Sequence, residues 1–373
     1  MSEIEIGRNK RGRRSYSFDD VAVVPSRRTR DPEDVSTAWQ VDAYHFDIPI
    51  FAAPMDSLMS PETAIALGEH GGLGVLDLEG LWTRYEDPSA QFDRIAAASE
   101  EGVVEVMRSV YEEPIKPELI RDRIQQLRDA GVTAAGSLSP QRTQEHWKTV
   151  VDAGVDLFFI RGTTVSAEHV SSTHEPLDLK QFIYELDVPV IVGGAAGYTP
   201  ALHLMRTGAA GVLVGFGGGA STTTRRALGI RVPMATAISD IAEARRDYMD
   251  ESGGRYVQVI ADGGLGTSGQ IVKALAMGAD AVMLGTALAR AAEAPGAGWH
   301  WGLEAAHPDL PRGHRTHVGT VAPLQELLWG PGHQTDGTSN LMGALKRAMA
   351  TTVYTELKDF QKVEVIVAPT HVM

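Results

Sequence analysis

The chain has 373 residues, 43% of them hydrophobic, enough to bury one large core without a second domain. Its 34 Lys and Arg against 48 Asp and Glu give a formal net charge of -14, which repels phosphate backbones and anionic lipid and argues against nucleic acid as a partner. There is no cysteine, so disulfides, thiolate metal sites and thiol nucleophiles are excluded, and no metal site is expected.

At the start, Met1-Ser-Glu-Ile-Glu5 is charged and lacks a signal-peptide pattern, and no apolar run reaches the ~18 residues of a membrane span. A cytoplasmic protein without membrane contact is expected. Residues 1–30 form a basic arm and lead-in, with Arg8, Lys10, Arg11, Arg13 and Arg14 followed by Arg27, Arg28 and Arg30. The arm reads as a solvated tail, the alternative being contact with an acidic neighbour or ligand.

From Ile48 onward, short apolar runs ending in Gly, Pro or a small polar residue alternate with stretches of helical periodicity. The strand candidates are Ile48 to Ala53, Gly72 to Leu76, Val132 to Leu138, Val155 to Ile160, Val188 to Val192, Gly211 to Val214, Tyr256 to Ala261 and Ala281 to Leu284. Another apolar run, Val103 to Met107, lies among glutamates and reads as part of an insertion. Glycines 131, 154, 208 and 278 stand where a helix should end and the next strand begin, supplying a left-handed residue at no steric cost. Near-continuous apolar strands joined by helices mean a parallel sheet covered on both faces. Eight such units favour an α/β fold of the (β/α)8 TIM-barrel type over residues 31–373, an open doubly wound sheet being the alternative. Trp299 to Thr338, rich in Gly, Pro and His, reads as a long loop. A last helix is expected over Leu341 to Thr352, then the strand-like Val363 to Ala368.

In a barrel of this kind, binding groups belong at the C-terminal ends of strands, and three such ends are glycine-rich. Gly215-Phe-Gly-Gly-Gly-Ala-Ser-Thr-Thr-Thr-Arg225 offers amides, hydroxyls and a cation, either as an anion cradle or as a flexible turn. In Ile260-Ala-Asp-Gly-Gly264, Asp262 can accept both hydroxyls of a ribose or merely satisfy its own turn, with Thr267 and Ser268 as helix caps. Leu284-Gly-Thr286 ends the last strand, where barrels of this type place phosphate.

The run Val259-Ile-Ala-Asp-Gly-Gly-Leu-Gly-Thr-Ser-Gly-Gln-Ile-Val-Lys-Ala-Leu-Ala-Met-Gly-Ala-Asp-Ala-Val-Met-Leu-Gly285 resembles the signature of the IMP dehydrogenase and GMP reductase family almost throughout. Tyr16-Ser-Phe-Asp-Asp-Val-Ala-Val-Val-Pro25, Ala53-Pro-Met-Asp56 and Gly71-Gly-Leu-Gly74 resemble that family in order and spacing as well. The resemblance, over about residues 16 to 290, implies a barrel that forms a homotetramer, a purine monophosphate (IMP, XMP or GMP) as ligand, and NAD or NADP as hydride partner. It implies that Met55 touches base or ribose, that Asp262 holds the ribose, and that Gly264, Gly285 and Thr286 receive phosphate with Gly219 and Ala220. Core packing is the alternative for Met55. Asp77 to Ala130 is too short for the paired regulatory (CBS) domains that dehydrogenases of the family insert there.

The pattern breaks where chemistry is expected. The position of the family's reactive cysteine, before a Thr-Thr-Arg, holds Thr222, ahead of Thr223, Thr224 and Arg225. A threonine hydroxyl needs an adjacent base to attack a purine; none lies nearby in sequence, leaving His169 or His203 to approach in space. Thr224 matches a threonine that resembles an activator of water or ammonia. On the dinucleotide side, Arg161-Gly-Thr-Thr164 replaces an Asp-Ser-Ser run and Gly193-Gly194 a Gly-Asn pair, so Arg161, Thr163 and Gly194 are the candidate cofactor contacts. The flap with its Arg-Tyr pair is not visible, and Glu326 is a weak substitute acid. The chain resembles a diverged, IMP dehydrogenase-related subgroup of actinobacteria with a similar cysteine loss. Expected functions are an oxidoreductase on purine nucleotides by a cysteine-independent route, with Thr222 and Thr224 catalytic, or a non-catalytic nucleotide sensor or partner subunit. A flavin-type phosphate-binding barrel is the third alternative.

Overall fold

The computed structural model describes residues 3–162, 164–172, 175–215, 218–306 and 315–368. Each of the eight apolar runs becomes a parallel strand: β1 (Ile50–Ala52), β2 (Leu73–Asp77), β3 (Ala135–Leu138), β4 (Leu157–Arg161), β5 (Val190–Ala195), β6 (Gly211–Val214), β7 (Gln258–Asp262) and β8 (Ala281–Leu284). They close into a barrel in sequence order, Leu284 of β8 lying beside Ala52 of β1. Nearly all strand residues are buried, because helices cover the outer face while side chains fill the interior; hence the continuous rather than alternating apolar pattern. Several strands start later than their apolar runs. Val132, for example, still belongs to the preceding turn, its N–H donating to the Leu127 carbonyl.

The covering helices are α1 (Pro61–Glu69), α2 (Pro117–Asp129), α3 (Pro140–Asp152), α4 (Leu179–Tyr184), α5 (Tyr198–Arg206), α6 (Met234–Ser252), α7 (Ser268–Ala276) and α8 (Leu341–Thr351). A Ser-Pro pair starts α1 and α3: Ser60 and Ser139 accept the N–H groups of Thr63 and Arg142, and proline takes the first turn, where no donor is needed. After α3 and α7, Gly154 at φ +83° and Gly278 at φ +112° make the turn into the next strand, as Gly131 and Gly208 do in their units.

The N-terminal end of the barrel is plugged by an antiparallel pair, Trp39–Val41 with Tyr44–Phe46. The Trp39 and Phe46 rings lie 5.1 Å and 5.7 Å from Phe51 of β1, which meets Phe159 of β4 edge-on at 5.7 Å. Since β1 and β4 are not neighbours, that contact passes through the interior.

At the other end the insertion between β2 and α2 folds as two helices, Ser89–Ala97 and Val103–Tyr111, so the apolar run at Val103 is helical. Ile95, Met107, Val110 and Leu81 make a second small core, into which Trp301 inserts. Trp299–Thr338, expected as a loop, contains short elements: Trp299–His300 pairs with Thr316–His317, Leu303–Ala306 is a 3-10 turn, and Leu324–Trp329 is a helix. Pieces of two to six residues are too short to show a hydrophobic period.

The basic arm differs from a free tail. Glu3–Gly7 and Lys10–Arg13 form an exposed antiparallel pair, Glu3 opposite Arg13 and Glu5 opposite Arg11, and the Arg13 guanidinium binds both carboxylate oxygens of Asp240 on α6. Val365–Val367 pairs with Val21–Val23, tying the C-terminal strand to the lead-in. Among the described residues no helix is long and apolar enough to cross a membrane, and no group of three or more His, Asp and Glu is gathered as a metal would require.

Candidate active site

A cavity of about 420 Å³ opens at the C-terminal ends of β1, β4, β6, β7 and β8. Of the residues expected at the site, Met55, Gly219, Ala220, Thr222, Asp262, Gly264, Gly285, Thr286 and Arg161 all line it. The structure thus brings together both expected glycine turns, the carboxylate and the β8 end. Gly194 and Thr224 do not line the cavity, and Thr163 lies outside the described residues.

The two glycine loops press against each other. A Cβ on Gly218 would stand 3.1 Å from the Gly264 amide nitrogen, and one on Gly215 2.6 Å from the Asp262 carbonyl oxygen. The sequence Asp262-Gly263-Gly264 then turns with φ of +111° and +72° at its glycines, a path that side chains disfavour. Gln270 holds the turn from behind, its Oε1 accepting from Gly266 N at 2.7 Å and Thr267 N at 3.2 Å. Thr267 caps α7, whose positive end points the same way.

Asp262 is not a free carboxylate. Arg161, at the end of β4, donates from Nε to its Oδ2 at 3.2 Å, while Oδ1 has no partner among the described residues. Arg161 thus sets a cation directly against the Asp262 carboxylate. Gly194 is committed elsewhere: its N–H donates to the Gly162 carbonyl and its own carbonyl accepts from Val165 N.

Thr222 Oγ1 and Thr224 Oγ1 lie 3.0 Å apart, with Thr224 buried behind Thr222. His169 and His203 are exposed and do not line the cavity, so neither sits beside Thr222. Among the described residues the histidine that lines it is His300, with Arg290 and Glu304 on the same wall. None of these three carried a motif. His300 is 1% exposed. Its Nδ1 lies 3.0 Å from Ser57 Oγ, which also sits 3.0 Å from the Trp301 carbonyl oxygen and accepts from Trp301 N at 3.2 Å. Burial, with the Arg290 charge added, pushes the His300 imidazole down to about 4.

Next to Met55, Asp56 is buried: Oδ2 accepts from Tyr111 OH at 2.7 Å and Leu81 N at 3.0 Å, while Oδ1 has no partner among the described residues. Burial pushes Asp56 up to about 6, against those two hydrogen bonds. Burial likewise raises Asp77 well above the ordinary range, with the charges of Asp56 and Glu79 adding to it. Trp301 Nε1 donates to Tyr111 OH at 2.9 Å, so this buried network also supports the His300 segment.

Comparisons with known proteins show the family of the chain. Residues 15–302 match the model of the IMP dehydrogenase / GMP reductase domain. An uncharacterized oxidoreductase of Mycobacterium leprae is 52% identical over 373 residues, spanning 98% of this chain and 100% of that protein. An inosine-5'-monophosphate dehydrogenase of Methanocaldococcus jannaschii is 26% identical, spanning 76% of this chain and 73% of its own. Among solved structures, an IMP dehydrogenase/GMP reductase-like protein from Corynebacterium glutamicum superposes with a TM-score of 0.93 at 49% identity, covering 98% of this chain and 97% of that one.

Proposed function

The chain belongs to the IMP dehydrogenase / GMP reductase family, and from that premise we propose that its cavity binds a purine nucleoside monophosphate, IMP, XMP or GMP, as an oxidoreductase working without a cysteine. The observation that carries this reading is the convergence of Met55, Asp262, Gly264, Gly285, Thr286 and the Gly219–Thr222 loop on one cavity. The glycine turns and the α7 N-terminus suit a phosphate, and Asp262 Oδ1 suits a ribose hydroxyl. Thr222 faces the cavity with Thr224 behind it. Their paired hydroxyls can pass a proton to or from a water or ligand atom at Thr222 Oγ1, a step that a thiol would not need.

NAD or NADP is the hydride partner that this reaction class calls for, but the residues on its expected side do not fit it as the nucleotide side fits a phosphate. Gly194 is spent on backbone bonds, and Arg161 Nε is bound to Asp262. No step through a nicotinamide follows from these residues. That disagreement favours a second reading, a purine-nucleotide-binding subunit without turnover.

Purified protein given IMP with NAD, or GMP with NADPH, separates the two by the change in NAD(P)H absorbance. The oxidoreductase reading expects nucleotide-dependent turnover that Thr222→Ala lowers by about tenfold or more. Rates equal to the Thr222→Ala background, with nucleotide still bound, establish the second reading instead.

A further inference from the structure

His300 belongs to no motif, yet its environment determines where its proton sits. The Ser57 hydroxyl has one proton and lies within bonding distance of three groups. Every group is satisfied when Ser57 donates to the Trp301 carbonyl and accepts from both Trp301 N–H and His300 Nδ1–H. Nε2 is then the unprotonated nitrogen. It has no hydrogen-bond partner among the described residues, and it lies 3.5 Å from where a Cβ on Gly285 would stand, facing the cavity at the end of β8.

We propose that His300 makes phosphate binding in this cavity proton-linked: its Nε2 and a phosphate oxygen of the ligand share a proton taken up on binding. The inference rests on the reading that the Gly264–Gly285 end receives the phosphate. A dianionic phosphate offers only acceptors, and so does Nε2; two lone pairs facing each other in a site of this size repel until one proton stands between them. Glycine amides serve the remaining oxygens. The charged groups facing His300 are Arg290, beyond β8, which opposes an imidazolium, and Glu304, on the following turn, which favours one. The Arg161–Asp262 pair stands across the cavity on β4 and β7, and His317 packs on Trp299 in the paired strand.

The sign follows from the two free partners. Free His300 is neutral throughout the working range, and a phosphomonoester loses its second proton at about pH 6. Above that pH the shared proton comes from solvent, so affinity falls by about tenfold per pH unit. Below it the ligand brings its own proton and affinity levels off.

Calorimetric titration of the full chain with IMP between about pH 6.5 and about pH 8.5, in buffers of different ionisation enthalpy, reads this directly. The native chain should take up close to one proton and lose affinity by about tenfold per unit. His300→Gln, whose amide can donate to the dianion, should bind IMP with a flat profile and no uptake, its folding checked by thermal melting. A flat profile without proton uptake in the native chain overturns the inference while leaving the phosphate site standing. Undiminished uptake in folded His300→Gln overturns it as well. No IMP binding by the native chain overturns the phosphate reading and this inference with it.

Discussion

Asp262 and Asp280 lie in one stretch of sequence and stand at opposite ends of the barrel. The Asp280 carboxylate, just before β8, binds Arg245 Nη1 at 2.5 Å, Tyr256 OH at 2.6 Å and Val259 N at 2.8 Å. Asp262, at the end of β7, faces the cavity with one oxygen on Arg161. A motif match cannot separate these roles, because both residues resemble the family equally well; strand direction does. Asp280→Ala leaves the buried Arg245 unpaired and should lower stability by about 3–5 kcal/mol in denaturant unfolding. Asp262→Asn should leave stability within about 1 kcal/mol of native and weaken IMP binding by about tenfold or more, measured by calorimetry. Asp56 adds a pH effect. Its folded-state pKa, about 6, lies above the ordinary 3.8, so its contribution to stability is present below pH 3.8 and lost as pH rises through 6. Between about pH 4 and about pH 7 the native chain should lose up to about 3 kcal/mol relative to Asp56→Asn, seen as diverging melting temperatures. Parallel melting curves for the two proteins would remove Asp56 from the account.

Among the elements, the segment after β8 determines what the cavity wall contains. Trp301 anchors it, buried at 1% exposure in the small core of the insertion and bonded to Tyr111. Arg315 ties down the returning strand: its guanidinium donates to the carbonyls of Ile95, Ala96 and Ala98 and lies 3.7 Å from the Trp299 ring centroid. His300 stands between these two clamps, so the insertion positions a cavity residue that it never touches in sequence. Trp301→Ala should cost about 3–5 kcal/mol of stability, and the pH dependence of IMP binding should weaken, because the backbone of residue 301, which bonds Ser57 beside His300, loses the side-chain anchor in the small core and on Tyr111. A pH profile unchanged in folded Trp301→Ala would show that the segment holds His300 without this anchor. The eight strands and their glycine stops were legible in the sequence because each repeats one physical pattern. The segment after β8 was not, because its elements are too short for a period and its partners, Leu81 to Tyr111, lie far back in the chain.

On the scale of the whole molecule, what was legible and what was not divide along the cavity. The half proposed for the nucleotide could be read from three glycine-rich strand ends, which a barrel necessarily gathers at one face. The other half could not. Arg161 was visible as a substitution but not as a partner of Asp262, and His300, Arg290 and Glu304 enter from beyond β8 without a motif. The expected bases His169 and His203 failed for a spatial reason, since both are exposed and neither His169, farther along the segment after β4, nor His203 on α5 lines the cavity. The net charge of -14 makes the chain an unlikely gatherer of anions over its surface, so an anionic ligand must be selected locally by the glycine turns, Arg290 and the shared proton at His300. The most direct test of the central claim is a crystal structure of the full chain soaked with IMP. The phosphate is expected at the Gly264–Gly285 end within hydrogen-bond distance of His300 Nε2, with a ribose hydroxyl on Asp262 Oδ1. IMP seated elsewhere on the molecule, or a cavity without nucleotide at saturating IMP, would contradict it.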